Sequence, residues 1–283
     1  MRRLYAIITL LIILMAVPAL ARPLEVFVSI KPQKWLVEQI AGELVNTRVM
    51  VDKGQEPHGF EPTPGQLAAL AKSSIYFTMN LPFEKMLLAK LNGRITTADT
   101  TEHIEFISFA SHHDKLHNHT ENYDPHVWLS PVNLIIMAEN MAKTLSRMDG
   151  ENSQVYKQNL ARLTEKLELL DTEIKKLLAP FVGRSFYTFH PSFGYFASRY
   201  HLVQKTVETE GKSPGPKDLA SLIKEARKDQ VQVIFTQPQF DQKSSQVLAR
   251  AINGRVIPLD TLAENVPGNL RFIAKNIALS MKK

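Results

Sequence analysis

Nine histidines and no cysteine bound the chemistry open to this chain of 283 residues. Without thiolates there are no disulfides, no iron–sulfur clusters, no cysteine nucleophile and no lipid-anchoring cysteine. A metal ion must therefore be held by imidazole and carboxylate. The histidines are His58, His103, His112, His113, His117, His119, His126, His190 and His201, and their surroundings divide them into groups.

His58 lies in Gln55-Glu56-Pro57-His58-Gly59-Phe60-Glu61-Pro62-Thr63-Pro64, where the prolines fix φ and lower the entropy lost when the loop orders. His126 lies in Asp124-Pro125-His126-Val127-Trp128-Leu129-Ser130-Pro131, just ahead of a helix start. His190 ends the apolar run Ser185-Phe186-Tyr187-Thr188-Phe189, and Asp260 ends Val256-Ile257-Pro258-Leu259. Ligands of open α/β sheets bind beyond the carboxyl ends of the strands. Three imidazoles and one carboxylate from four separate loops would form a four-ligand set that zinc accepts. Imidazole suits zinc, whereas an oxygen-richer set leans toward manganese. Taken singly, each histidine also fits an ordinary hydrogen-bonded residue, and spacing alone does not bring positions 58, 126, 190 and 260 together. A second group, His112, His113, His117 and His119, sits in the polar stretch 111–121, which has no apolar period and reads as a loop. Such a tract can capture divalent metal weakly, or it can be a plain solvated loop.

The elements that must position these residues alternate. Strands are expected at Val26–Ile30, Val45–Val51, Ile75–Met79, Ser185–Phe189, Lys205–Thr209, Val231–Thr236 and Arg255–Leu259. Helices are expected near Trp35–Ala41, Gln66–Ala71, Leu81–Leu91, Pro131–Arg147, Phe193–Tyr200, Pro216–Arg227, Gln242–Ile252 and Asn269–Met281. That alternation indicates an α/β fold with parallel sheets. Between its two halves, Glu151–Leu178 carries Val155, Leu160, Leu163, Leu167, Leu170, Ile174 and Leu177 at helical spacing, with no Gly or Pro. A helix of that length spans roughly 42 Å and reads as a spine between two lobes. The expected organisation is an N-terminal lobe over 22–148, a linking helix over 149–180 and a C-terminal lobe over 181–283.

The first residues predict export. Arg2 and Arg3 precede the apolar run Leu4–Val17 and an A-x-A site at Ala19-Leu20-Ala21. This is the pattern of a cleavable signal over 1–21, and the run is short for a membrane span. Losing it takes away two arginines and lowers the formal charge from +6 to +4. No basic cluster interleaved with aromatics stands out, so no nucleic-acid partner is expected. Export without a lipidation cysteine points to a Gram-negative periplasm.

Four ordered segments, Pro57–Pro64, Asp124–Pro131, Phe189-His190-Pro191-Ser192-Phe193-Gly194-Tyr195-Phe196 and Pro258-Leu259-Asp260, resemble the signature segments of the cluster A-I metal-binding proteins. These are the solute-binding components of zinc and manganese ABC importers. The resemblance runs over essentially the whole mature chain. It implies two α/β lobes joined by one rigid helix, with a metal in the cleft held by His58, His126, His190 and Asp260. Histidine at the third ligand position and a His-rich loop before the second segment are similar to the zinc-uptake (ZnuA-type) branch, whereas manganese members carry glutamate at that place. The His-rich loop is short, and Gln237 stands where many relatives carry glutamate. The resemblance further implies Zn²⁺ as cargo in preference to Mn²⁺, a monomer, and a membrane permease with its ATPase as partners. Rival readings are a manganese or iron importer component, an adhesin of the same architecture, and a secreted zinc hydrolase. The hydrolase is the weakest, since no H-E-x-x-H occurs.

Overall fold

The computed structural model describes residues 23–52, 54–108, 123–208, 214–240 and 243–282. The expected signal segment 1–21 and the histidine tract 111–121 lie outside them. Two four-stranded parallel sheets make up the framework. The first comprises β1 (Leu24–Val28), β2 (Val45–Val49), β3 (Ile75–Thr78) and β4 (Thr96–Asp99), in the order β2-β1-β3-β4. The second comprises β5 (Ser185–Thr188), β6 (Val203–Thr206), β7 (Val233–Thr236) and β8 (Arg255–Pro258), in the order β6-β5-β7-β8. The two sheets thus share one strand order. Among the described residues no helix is long and apolar enough to cross a membrane.

The crossovers of the first half are α1 (Lys31–Ala41), α2 (Pro64–Leu70) and α3 (Pro82–Leu91), followed by α4 (Pro131–Met148). Those of the second half are α6 (Gly194–Arg199), α7 (Pro216–Lys228) and α8 (Lys243–Ala251), and α9 (Val266–Met281) closes the chain. Proline occupies the first turn of α1, α2, α3, α4, α7 and α9. It costs nothing there, because the first helical N–H groups have no intrahelical acceptor. Strand β4 is absent from the sequence expectation. Its residues, Thr-Thr-Ala-Asp, alternate between half-buried and exposed at the sheet edge and carry almost no apolar signal. Strand β6 begins at Val203, two residues before the expected start.

Helix α5 (Ser153–Leu178) joins the halves; its 26 residues correspond to about 39 Å. Its buried stripe starts at Tyr156 and ends at Leu178 rather than running from Val155 to Leu177, and both of those are exposed. The reason is periodicity. Positions 156, 160, 163, 167, 170, 174 and 178 keep steps of three and four, whereas the five-residue step from 155 to 160 leaves the face. Along this stripe the apolar core is continuous. One cluster runs from β1 and β3 through α4 and α5 into Phe186, Phe193, Phe196 and the inner face of α9. A smaller cluster, including Tyr187, Ile234 and Leu248, covers the other side of the second sheet.

Candidate metal centre

The site gathers side chains from three separate loops. His58 lies between β2 and α2, His126 just before the turn Val127–Leu129 that leads into α4, and His190 two residues after β5. The three imidazoles converge from both halves. Their ring centroids are 5.1 Å (58–126), 5.1 Å (58–190) and 5.3 Å (126–190) apart. One nitrogen of each lies within 4.8 Å of the others.

Nε2 of His58 and Nε2 of His126 are 3.3 Å apart. At a Zn–N bond of about 2.0–2.1 Å, two nitrogens on tetrahedral vertices sit about 3.3–3.4 Å from each other. The pair is therefore spaced as an edge of a zinc tetrahedron. Nε2 of His190 is buried with no hydrogen-bond partner among the described residues. A buried polar atom without a partner is costly, and a cation in the cleft would satisfy it.

Each of the two deeper rings is held from behind. Asp124 Oδ1 accepts from His126 Nδ1 at 2.7 Å and from the His126 backbone N–H at 2.9 Å. Glu208 Oε2 lies 3.2 Å from His190 Nδ1. A carboxylate on Nδ1 selects the tautomer that leaves Nε2 free for a metal and orients the ring. His190 also stacks on Phe240, 4.4 Å between centroids at 19°, and His126 packs beside Trp128 at 5.2 Å. His58 is the more open member; 30% of its side chain is exposed. Its loop is tied by Glu56, whose Oε1 accepts from His58 N–H and Oε2 from Gly59 N–H, both at 2.7 Å.

Electrostatics favour the neutral rings. Desolvation first, then repulsion from His126 and His190, pushes the His58 pKa down from 6.5 to about 3. Burial also lowers that of His126, against the opposing pull of Asp124. Neutral imidazole is the metal-binding form.

The halves meet across this cleft. Trp128 Nε1 donates to the carbonyl of Thr261 at 2.7 Å, and Tyr195 O–H donates to the carbonyl of Asp124 at 2.9 Å. Lys34 of the first half also pairs with Glu264 of the second at 2.7 Å. Gly194 is needed for this approach. A Cβ there would overlap Asp124 Oδ2.

Of the residues singled out in the sequence, His58, His126 and His190 come together. Asp260 does not join their cluster of ligand atoms. Its Oδ1 accepts from Gln239 Nε2 at 3.1 Å and Leu262 N–H at 2.9 Å, and its carbonyl from Asn269 Nδ2 at 2.6 Å. Gln237 holds Ser192 Oγ at 2.7 Å and the carbonyl of His190 at 3.4 Å, behind the site. The supporting acids Glu56, Asp124 and Glu208 were not picked out from sequence. For two of them a signal exists. Glu56-Pro57-His58 and Asp124-Pro125-His126 are both acid-Pro-His, and in both the carboxylate accepts from the histidine N–H two residues on. Glu208 reaches His190 only because β6 pairs with β5, which no local spacing shows.

A family model described as the zinc-uptake complex component A, periplasmic (ZnuA), matches residues 26–278. The chain belongs to the ZnuA family. A crystal structure of ZnuA superimposes with a TM-score of 0.86 at 36% identity, covering 92% of this chain and 100% of that one. A putative metal-binding protein of Chlamydia muridarum is 29% identical over 260 residues, 90% of each chain. The manganese ABC transporter substrate-binding lipoprotein PsaA of Streptococcus mitis is 27% identical, over 77% of this chain and 73% of its own length. The chain thus falls in a family of metal-binding solute-binding proteins of ABC importers, and its relatives include both zinc and manganese binders.

Proposed function

We propose that this protein captures one Zn²⁺ in the periplasm, between His58, His126 and His190, and delivers it to the permease of an ABC importer. The 3.3 Å separation of the His58 and His126 Nε2 atoms carries the reading, because it matches an edge of a zinc tetrahedron. Among the described residues the cluster of ligand atoms is three neutral nitrogens, a set that favours zinc over manganese, with Glu56 Oε1 beside it, 3.9 Å from His58 Nε2. Asp260, expected as a fourth ligand, accepts a hydrogen bond from Gln239. The activity is capture and release, not catalysis. The organisation that fits this role is a signal over 1–21, lobes over 22–148 and 181–283 and the linker 149–180, acting as a monomer. The apolar core shared through α5 supports small cleft motions in place of a wide hinge.

The test is metal analysis of protein purified without added metal, followed by competition titration of Zn²⁺ against Mn²⁺. The expected result is one zinc per chain and a clear zinc preference. His126→Ala should lose more affinity than the roughly 10–100-fold typical of changes outside the ligand shell. A wild-type protein that holds no zinc, or that prefers manganese, refutes the reading.

A further inference from the structure

Gln239 occupies an unusual place. It lines the cleft together with the three histidines, yet its hydrogen bond points away from them, to Asp260. The amide orientation is decided by chemistry. The Asp260 carboxylate can only accept, so Nε2 must face Oδ1. That leaves Gln239 Oε1 buried with no hydrogen-bond partner among the described residues. Asp260 is held at both ends, Oδ1 by Gln239 and the Leu262 N–H and the carbonyl by Asn269. It is the one carboxylate at the carboxyl end of β8, and it is tied down outside the imidazole cluster.

We propose that Gln239 is a specificity-determining residue: it tethers Asp260 away from the imidazole cluster, so that on this side the cleft presents a neutral oxygen in place of a second carboxylate beside Glu56, whose Oε1 lies 3.9 Å from His58 Nε2. Withholding the carboxylate keeps the donor set nitrogen-rich and the coordination number low, which zinc accepts and manganese does not favour. Releasing it adds one or two anionic oxygens and moves the site toward the oxygen-rich, higher-coordinate sets that suit manganese. The inference rests on the proposed metal site, and deepens it by naming the residue that sets its selectivity.

The experiment compares the wild type with Gln239→Leu, Asp260→Asn and the double variant. Zn²⁺ and Mn²⁺ affinities are measured by competition, and Co²⁺ absorption reports coordination number. Gln239→Leu keeps the bulk and removes the side-chain tie, leaving the Asp260 carboxylate on the Leu262 N–H. It should raise Mn²⁺ affinity relative to Zn²⁺ by about tenfold or more, the scale of changes beside a ligand shell, and weaken the cobalt ligand-field bands as the coordination number rises. The double variant should return to the wild-type ratio. Asp260→Asn alone should cost at most about tenfold in zinc affinity, far less than His126→Ala. The inference is overturned if Gln239→Leu leaves ratio and spectrum unchanged, if the double variant keeps the shift, or if Asp260→Asn is as damaging as loss of a histidine. In each of those cases a wild type that still binds one zinc through the histidines leaves the proposed function standing. A wild type without zinc refutes that function instead. Should Gln239→Leu fold poorly, Gln239→Met, which also lacks the amide donor, is measured in its place with the same expected and refuting results.

Discussion

Gly194→Ala tests how far the site depends on the fit between the two halves. The added Cβ would overlap Asp124 Oδ2, and Asp124 is only 1% exposed, so it has no solvent to move into. Relief must come by rotating the carboxylate or by separating α6 from the 124–126 segment. Either disturbs the 2.7 Å contact that orients His126. Overpacking of this kind costs about 1–3 kcal/mol of stability, and loss of an orienting carboxylate costs about 10–100-fold in metal affinity. Gly194→Ala should therefore lower the urea midpoint and weaken zinc binding by about tenfold or more, read by competition with a chromophoric chelator. A double-mutant cycle isolates the cause. Asp124→Ala removes both the clash and the orienting bond, so adding Gly194→Ala to it should change zinc affinity little further. If Gly194→Ala binds zinc as wild type does, or if its effect is undiminished on the Asp124→Ala background, the account of Asp124 as the orienter of His126 is wrong.

The remaining predictions concern acid, the cleft and its reporter. The folded protein holds His58 at a pKa of about 3 against 6.5 for the free side chain. Below about pH 6.5 the unfolded chain takes up a proton that the folded one refuses, so stability falls as pH drops toward 3. His126 shifts in the same direction. Metal-free protein should lose up to about 1.4 kcal/mol per pH unit per group in that window, and His58→Phe should flatten the slope; urea midpoints that stay constant from pH 7 to pH 5 would contradict this. Trp128→Phe removes the 2.7 Å bond to Thr261 across the cleft and leaves a carbonyl unpaired, for a cost of about 1–3 kcal/mol measurable in the same melts. Because Trp128 packs 5.2 Å from His126 and the chain has only two tryptophans, zinc addition should change the intrinsic fluorescence, and that change should vanish in Trp128→Phe.

The three histidines that converge were legible in the sequence because each sits beside a breaker or at a strand end. His58 lies among prolines, His126 follows Pro125, and His190 closes the apolar run from Ser185. Composition settled the donor types, since no cysteine was available. Alternating apolar runs and helical stripes showed seven of the eight strands and the long connecting helix. Strand β4 escaped because an edge strand needs little apolar surface, so Thr96–Asp99 carries no pattern to read.

What only the tertiary structure decided is distance. Residues 58, 126 and 190 share no local period, and their meeting depends on two sheets held by one continuous core around α5. The same packing brought Glu208 to His190 through the pairing of β5 and β6, and it placed Gln239 within hydrogen-bond reach of Asp260. A local pattern reports which atoms can bind a metal. Whether a carboxylate reaches the ion depends on hydrogen bonds and packing between loops of separate strands, and those exist only in the folded chain.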